Sequence, residues 1–424
     1  MKTHYSVLIV GGGQAGLSVS YYLKQRNLDH LIFEKHQVAH SWQDKRWDSF
    51  CLVTPNWQCQ LPGFPYQGDD PNGFMVKSEI VDYVRAYAKS FDAPVHEGVE
   101  VTRVQQQGDR FAVSTSMGEF TADQVVIAAG GYHKPRIPRL AERLPRSIHQ
   151  IHSSQYRNPE QLPEGDIMVV GTGQSGCQIA EDLHLAGRRV HLCVGSAPRS
   201  PRRYRGKDVV DWLDQMGYYD MPIDEHPQKE TVRHRTNHYL TGRDGGREID
   251  LRQFATEGMQ LYGRLQDIDN DRLYFKPDLK QNLDSADAVA ESIKETVDRF
   301  IEQQQLNIPP EAPYCPIWEP PAEPAEVEIA DANIGSVIWS TGYHTNFRWI
   351  EVPVFDGQGY PCHDRGVTAI KGVYFIGLPW LYTWGSGRFS GVARDAQYIA
   401  DHLMTKRKFQ SPLLERINEM AIGS

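Results

Sequence analysis

Residues 5–34 read YSVLIVGGGQAGLSVSYYLKQRNLDHLIFE. A short β-rich apolar run, Tyr5–Val10, passes at once into Gly11-Gly12-Gly13-Gln14-Ala15-Gly16. A helical stretch follows from Leu17 to Arg26, and then a second apolar run, Leu31-Ile32-Phe33, that ends in Glu34. The order is strand, G-x-G-x-x-G, helix, strand, acid, and each part has a physical task. Gly11 permits the tight turn, Gly13 lets the backbone approach a pyrophosphate, and Gly16 lets the helix pack close to the strand. The helix N-terminus offers unpaired N–H groups and partial positive charge to phosphates. Glu34, 18 residues after Gly16, can accept hydrogen bonds from ribose hydroxyls.

The same pattern returns about 160 residues later. Asp166–Val170 leads into Gly171-Thr172-Gly173-Gln174-Ser175-Gly176, a helical stretch from Cys177 to Ala186, and the strand Val190–Val194. Val194 stands where the first copy has Glu34. Ser196 and Arg199 follow it, and then Arg202, Arg203, Arg205 and Lys207. A carboxylate there would repel a 2′-phosphate, whereas Ser and Arg can bind one. The first loop therefore suits FAD and the second suits NADPH, with Ser196 and Arg199 as the 2′-phosphate pair.

Other segments read as closing the first site. The loop Ser41–Trp57 carries Trp42, Arg46, Trp47, Thr54 and Asn56. Gln124–Gly131 and Ile334–Tyr343 are strands running into small residues, Ala129-Gly130 and Thr341-Gly342, suited to close passage beside a cofactor. Val373–Gly377 is a further strand, leading through Gly385–Phe389 into a helix that starts near Gly391. Leu283–Gln303 is amphipathic, with Val289, Ile293, Val297, Phe300 and Ile301 on one face, and a proline-rich connector follows it. The expected fold is α/β, with two Rossmann-like dinucleotide-binding domains and the NADPH domain inserted into the FAD domain. The expected boundaries are 1–160, 161–330 and 331–424. Candidate cofactor contacts are Gly11, Gly13, Gln14, Ala15, Gly16, Glu34, Lys35, Trp42, Arg46, Trp47, Thr54, Val101, Ala129, Gly130, Gly171, Gly173, Gln174, Ser175, Gly176, Ser196, Arg199, Thr341, Gly342, Gly377 and Arg388.

The chain has 424 residues, 40% hydrophobic and 23% charged, an ordinary globular composition for two or three domains. A net charge of −9 argues against general nucleic-acid binding. No window approaches a membrane span, and Val7–Val10 runs into glycines rather than a cleavage site, so a cytoplasmic protein is expected. The six cysteines are scattered without a CxxC, which reads as reduced thiols and disfavours a disulfide reductase. His149 and His152 are too sparse for a metal site.

With these motifs in hand, the chain resembles the flavin-containing monooxygenases, over nearly its whole length. Within them it looks like a small bacterial subfamily often encoded near nitrilase-type genes. The likeness implies that NADPH reduces FAD and that O2 then adds at flavin C4a. One oxygen from the resulting hydroperoxide passes to a small organic substrate, at nitrogen, at sulfur or beside a carbonyl. It also implies a catalytic amide at Asn56. Of the family fingerprint F-x-G-x-x-x-H-x-x-x-Y/W, His152 and Tyr156 match, while Arg146 and Ile148 hold the Phe and Gly positions. An FAD-dependent NADPH oxidase or dehydrogenase without oxygen insertion stays open, as does a nucleotide-sensing protein on a redox fold. So does the choice between monomer and homodimer.

Overall fold

The computed structural model describes residues 2–405, and two sheets organise it, the first mostly parallel but with Arg110–Thr115 antiparallel to both neighbours, the second all parallel. The first takes its strands in the order Ile350–Glu351, Val101–Gln107, Arg110–Thr115, Gly118–Ile127, His4–Val10, His30–Phe33 and Val95–His96. Val373–Phe375 also pairs with Gly118–Ile127, in parallel. His4–Val10 is central and its Val7, Leu8 and Ile9 have no exposed surface, which is why it reads as an unbroken apolar run. The helix Gln14–Gln25 packs on it, and the helix Val392–Met404 packs beside that one through Leu17, Leu23, Val392, Ala396, Ile399 and Leu403.

The second sheet runs His149–His152, Ile334–Trp339, Asp166–Val170, Val190–Cys193 and Gln260–Tyr262, all parallel. Two of these strands lie outside the expected 161–330. The sheet needs both, because Ile334–Trp339 fills the gap between His149–His152 and Asp166–Val170 in register. The chain therefore enters the second sheet by residue 149 and leaves it after residue 339. The proline-rich connector leads first to this strand and only then back to the first sheet. Residues 406–424 of the expected last segment lie outside the described residues.

The long amphipathic helix spans Leu279–Gln303, four residues more than its apolar period suggests, and buries Leu283, Ala286, Ala290, Val297 and Ile301. No helix among the described residues is long and apolar enough to cross a membrane.

The two crossings between the sheets run side by side. Lys134–Pro135 pairs antiparallel with Tyr343–His344. The Gly342 carbonyl accepts from the Arg136 N–H at 2.9 Å and from His152 Nε2 at 3.0 Å. His152 has no exposed surface, and its Nδ1 accepts the Ser154 N–H at 3.1 Å, so Nε2 carries the proton. Burial lowers its pKa and keeps the ring neutral. The half-fingerprint is thus a brace: His152 ties the crossings, and Tyr156 donates to Asp182 at 2.7 Å.

Candidate functional site

The first glycine loop sits where the strand His4–Val10 meets the helix Gln14–Gln25. Gly11 has φ +112°, and a Cβ there would meet the Ala128 carbonyl oxygen at 2.6 Å. A Cβ on Gly16 would lie 2.0 Å from the Gly11 oxygen, so this glycine sets the close helix–strand contact. Gly13 differs: a Cβ there would meet no atom within 4 Å. Gly13 is the helix N-cap, no side chain caps the first turn, and no acid stands in it. The loop therefore opens onto free space with unpaired N–H groups pointing out, which suits a pyrophosphate. Glu34 Oε2 accepts the Gly12 N–H at 2.7 Å and Oε1 accepts the His36 N–H at 2.9 Å, fixing the carboxylate at the loop's edge.

The second loop repeats this geometry. Gly171 has φ +103°, and a Cβ on Gly176 would fall 1.9 Å from the Gly171 oxygen. Gly173 is again an uncapped N-cap, with only Thr236 Cγ2 near its Cβ position, at 3.7 Å. Gln174 and Ser175 form the open first turn. The bracing is reversed. Here Thr172 Oγ1, on the loop, accepts the N–H of Gly195, beyond the second strand, at 2.9 Å. The linker motifs are equivalent too, since Ala128 N donates to Val10 O at 2.8 Å and Ser340 N to Val170 O at 3.0 Å. The next residues but one, Gly130 at φ +72° and Gly342 at φ +83°, both face open space.

The C-terminal segment closes on the first loop. Gln14 Nε2 donates to Gly387 O at 2.9 Å, and a Cβ on Gly377 (φ +81°) would meet Ala15 Cβ at 2.8 Å. Trp42 Nε1 reaches Gln14 Oε1 at 3.4 Å, and its ring stacks on Phe389 at 5.5 Å. Arg46 lies 5.2 Å from the Trp42 ring, and Arg388 lies 3.9 Å from the Trp384 ring. Both arginines are enclosed by protein yet only half-buried by area, as side chains lining an interior cleft are. Neither has a carboxylate partner among the described residues. Burial pushes both pKa values down, opposed by nearby tyrosines, of which Tyr132 is common to both. Arginine stays protonated even so. Two enclosed, unpaired cations beside an open glycine loop fit a cofactor that brings its own negative charge.

This gives a first prediction. Arg388→Met removes an uncompensated charge, so the melting temperature of the ligand-free protein should hold or rise. Flavin reduction by NADPH should slow about 100-fold, the effect of losing one preorganised electrostatic contact. Unchanged stopped-flow reduction would place Arg388 away from both cofactors.

Three sequence-based assignments are corrected. Asn56 is 4% exposed; its Oδ1 accepts the Met75 N–H at 2.7 Å and its Nδ2 donates to Asp70 O at 3.0 Å. Its amide staples the 70–75 loop rather than facing a cofactor. Trp47 is 4% exposed and packs with Ile151, Tyr156 and Val169 of the second region, so it anchors the loop there. Arg199 is 3% exposed and surrounded by Asp287 (3.1 Å), Asp250 (3.4 Å) and Glu248 (3.9 Å), with Tyr314 against its face at 4.3 Å. It cannot present its charge to a 2′-phosphate. Arg202 is equally internal, held by Asp208 and the Val53 carbonyl.

Ser196 is exposed just beyond the strand. Lys35 is exposed and paired with Glu100 at 2.7 Å. Thr54 is half-buried in its loop, and Val101 opens its strand, two residues past Val99, whose N–H donates to Glu34 O at 2.9 Å. Ala129 is exposed and Thr341 donates to Arg136 O. Sequence reading missed Tyr132, which is 63% exposed, packs on Tyr343 at 5.4 Å and stands near both cleft arginines. Its position two residues past Gly130 was the available signal.

Comparison with known proteins agrees with this geometry. The family model described as pyridine nucleotide-disulphide oxidoreductase matches residues 8–238. An uncharacterised CzcO-like oxidoreductase of Geobacillus kaustophilus is 34% identical, over 95% of this chain and 99% of its own. A probable indole-3-pyruvate monooxygenase of Arabidopsis thaliana, YUCCA10, is 29% identical over 48% of this chain and 54% of its own. The flavin-containing monooxygenase of Stenotrophomonas maltophilia superposes with a TM-score of 0.63 at 18% identity, over 95% of this chain and 98% of its own, a likeness of fold.

Proposed function

We propose that this chain, which belongs to the pyridine nucleotide-disulphide oxidoreductase family and with it to the flavin-containing monooxygenases, inserts one atom of O2 into a small organic substrate at the expense of NADPH. It is a flavin-dependent oxidoreductase, and FAD and NADPH are the cofactors of its family. When bound, the flavin accepts a hydride and activates oxygen. The observation that carries the reading is the duplicated loop: two open, uncapped helix N-termini whose linker glycines, Gly130 and Gly342, flank one pair of crossings.

The residues have separate tasks in this reading. The N–H groups around Gly13 and Gly173 bind the two pyrophosphates, and Glu34 holds a ribose. Arg46 and Arg388 balance cofactor charge within the cleft, and the Trp384 face keeps water from the Arg388 guanidinium. His152 moves no proton, since its single N–H is committed to Gly342 O. Thiol chemistry at the buried cysteines is disfavoured: burial pushes Cys51 up to about 11 and Cys59 up to about 12, and raises Cys177 as well.

The test is stopped-flow absorbance of the holoprotein, reduced with NADPH under argon and then mixed with oxygen. A transient species distinct from oxidised and reduced flavin, decaying faster with substrate present, is expected. Direct return to oxidised flavin with peroxide release would replace this reading by the oxidase. Absence of reduction by NADPH would remove the assignment of the second loop.

A further inference from the structure

Residues 222–241 form a strap between the two halves of the molecule. The strap leaves the second region after the helix Val209–Gln215 and docks on the C-terminal part of the first. There the Ile223 N–H donates to Tyr382 O at 2.8 Å, the His226 ring packs on Trp380 at 4.9 Å, and Arg233 Nε donates to Trp380 O at 3.0 Å. The chain then returns to the second region. The Tyr239 N–H donates to Pro198 O at 3.0 Å, Gln178 Nε2 donates to Leu240 O at 2.9 Å, and the Tyr239 ring is buried in the second core.

Between these anchorages lies the span 234–238. Its residues 236–238 make no backbone hydrogen bond among the described residues, so the span can shift without unmaking secondary structure. Two consecutive side chains on it touch the two nucleotide loops. Thr236 Cγ2 is the single atom within 4 Å of the Gly173 Cβ position, at 3.7 Å, so a phosphate drawn to that backbone meets Thr236. Asn237 Oδ1 accepts from Arg388 Nη2 at 3.3 Å. That bond is long, and a displacement of a few tenths of an ångström breaks it. Arg388 Nη1 donates to Trp384 O, and the residue before it, Gly387, accepts from Gln14 Nε2 of the first loop at 2.9 Å. A continuous line of contacts therefore runs from Gly173 through Thr236, Asn237, Arg388 and Gly387 to Gln14.

We propose that this span relays occupancy of the second glycine loop to the flavin cleft, with Asn237 as the positioning residue of Arg388. Arg388 has no carboxylate to hold it among the described residues, so its place depends on the neutral acceptors Asn237 Oδ1 and Trp384 O. An enclosed charge acts strongly on its neighbours, and a small move of the guanidinium changes the field in the cleft. The inference rests on the reading that the second loop takes a nucleotide and that Arg388 faces the flavin. It adds that the two sites sense each other before the nicotinamide arrives.

The experiment titrates the oxidised, FAD-bound full chain with ADP-ribose carrying a 2′-phosphate, a probe with the pyrophosphate and adenosine of NADPH but no nicotinamide. Isothermal titration calorimetry reports binding, and the flavin difference spectrum reports the relay. The unaltered protein should bind the probe and its flavin band should shift. Asn237→Leu should bind the probe with affinity reduced by no more than about tenfold, the scale of one hydrogen bond, and show no shift. Asn237→Asp keeps an oxygen at the same place and should keep the shift. A retained melting temperature and flavin content show that each variant is folded. Binding without a shift in the unaltered protein, an equal shift in Asn237→Leu, or a shift lost equally in Asn237→Asp would overturn the relay and leave the nucleotide reading standing. Failure of the probe to bind would remove the reading of the second loop and the relay with it. No oxygen is consumed, so the result does not depend on whether the protein is an oxygenase or an oxidase.

Discussion

A Gly13→Ala protein is expected to purify folded and colourless. The substitution is mild for the protein itself. Gly13 has φ −77°, which any residue adopts, and an added Cβ would meet no protein atom within 4 Å. That open space is where the loop backbone must approach the pyrophosphate, so the methyl group excludes the ligand rather than disturbing the fold. FAD affinity should fall at least ~100-fold, about 2.8 kcal/mol. The check is the flavin-to-protein absorbance ratio together with far-UV circular dichroism. Gly16→Ala is the informative contrast, because its Cβ would lie 2.0 Å from the Gly11 oxygen. That variant should lose folded protein, whereas Gly13→Ala should lose only the cofactor. A yellow, stoichiometric Gly13→Ala protein would show that the phosphates lie elsewhere.

The second large effect is one of stability. Arg199→Ala takes the buried cation away from Asp250 and from the more exposed Glu248, and leaves Asp287 with Arg252 alone, at 2.9 Å. Burial lowers the pKa of Arg199, but the three carboxylates more than offset this and raise it overall. Removing one partner of such a buried group costs about 3–5 kcal/mol. Chemical denaturation should show a loss of that order. The preference for NADPH over NADH should stay unchanged, since the guanidinium faces away from solvent. A variant of normal stability with relaxed nucleotide preference would restore Arg199 to the 2′-phosphate site and refute the geometry given above.

The contrast between these residues shows what the amino-acid order reveals. The glycine loops are legible because their work is local: Gly11 and Gly16 meet each other within one turn, and spacing alone encodes that contact. Glu34 is legible for the same reason, being one strand away from Gly12. Arg199 is not. The three carboxylates that claim it stand at 248, 250 and 287, and nothing near residue 199 announces them. Asn56 fails similarly, because its amide is taken by the backbone at 70 and 75. A polar side chain at a plausible position is a ligand candidate only until distant chain segments have made their own claims on it. The domain boundaries slipped for a related reason. A strand such as Ile334–Trp339 is apolar whichever sheet it joins, and only its partners decide.

The laced crossings have a mechanical consequence. Two bodies joined along a single pinned edge keep one soft degree of freedom, a swing about that edge, and resist sliding. Here the Gly342 oxygen of one crossing takes both the Arg136 N–H of the other and the ring N–H of His152, at the end of a second-sheet strand. The latch lies away from the joint, where Trp57 meets Asp211, Ser49 meets Asp182 and Arg202 holds the Val53 carbonyl. These fastenings, together with Trp47 seated in the second core and Arg394 held by Asp220, all oppose a widening of the gap between the two nucleotide loops.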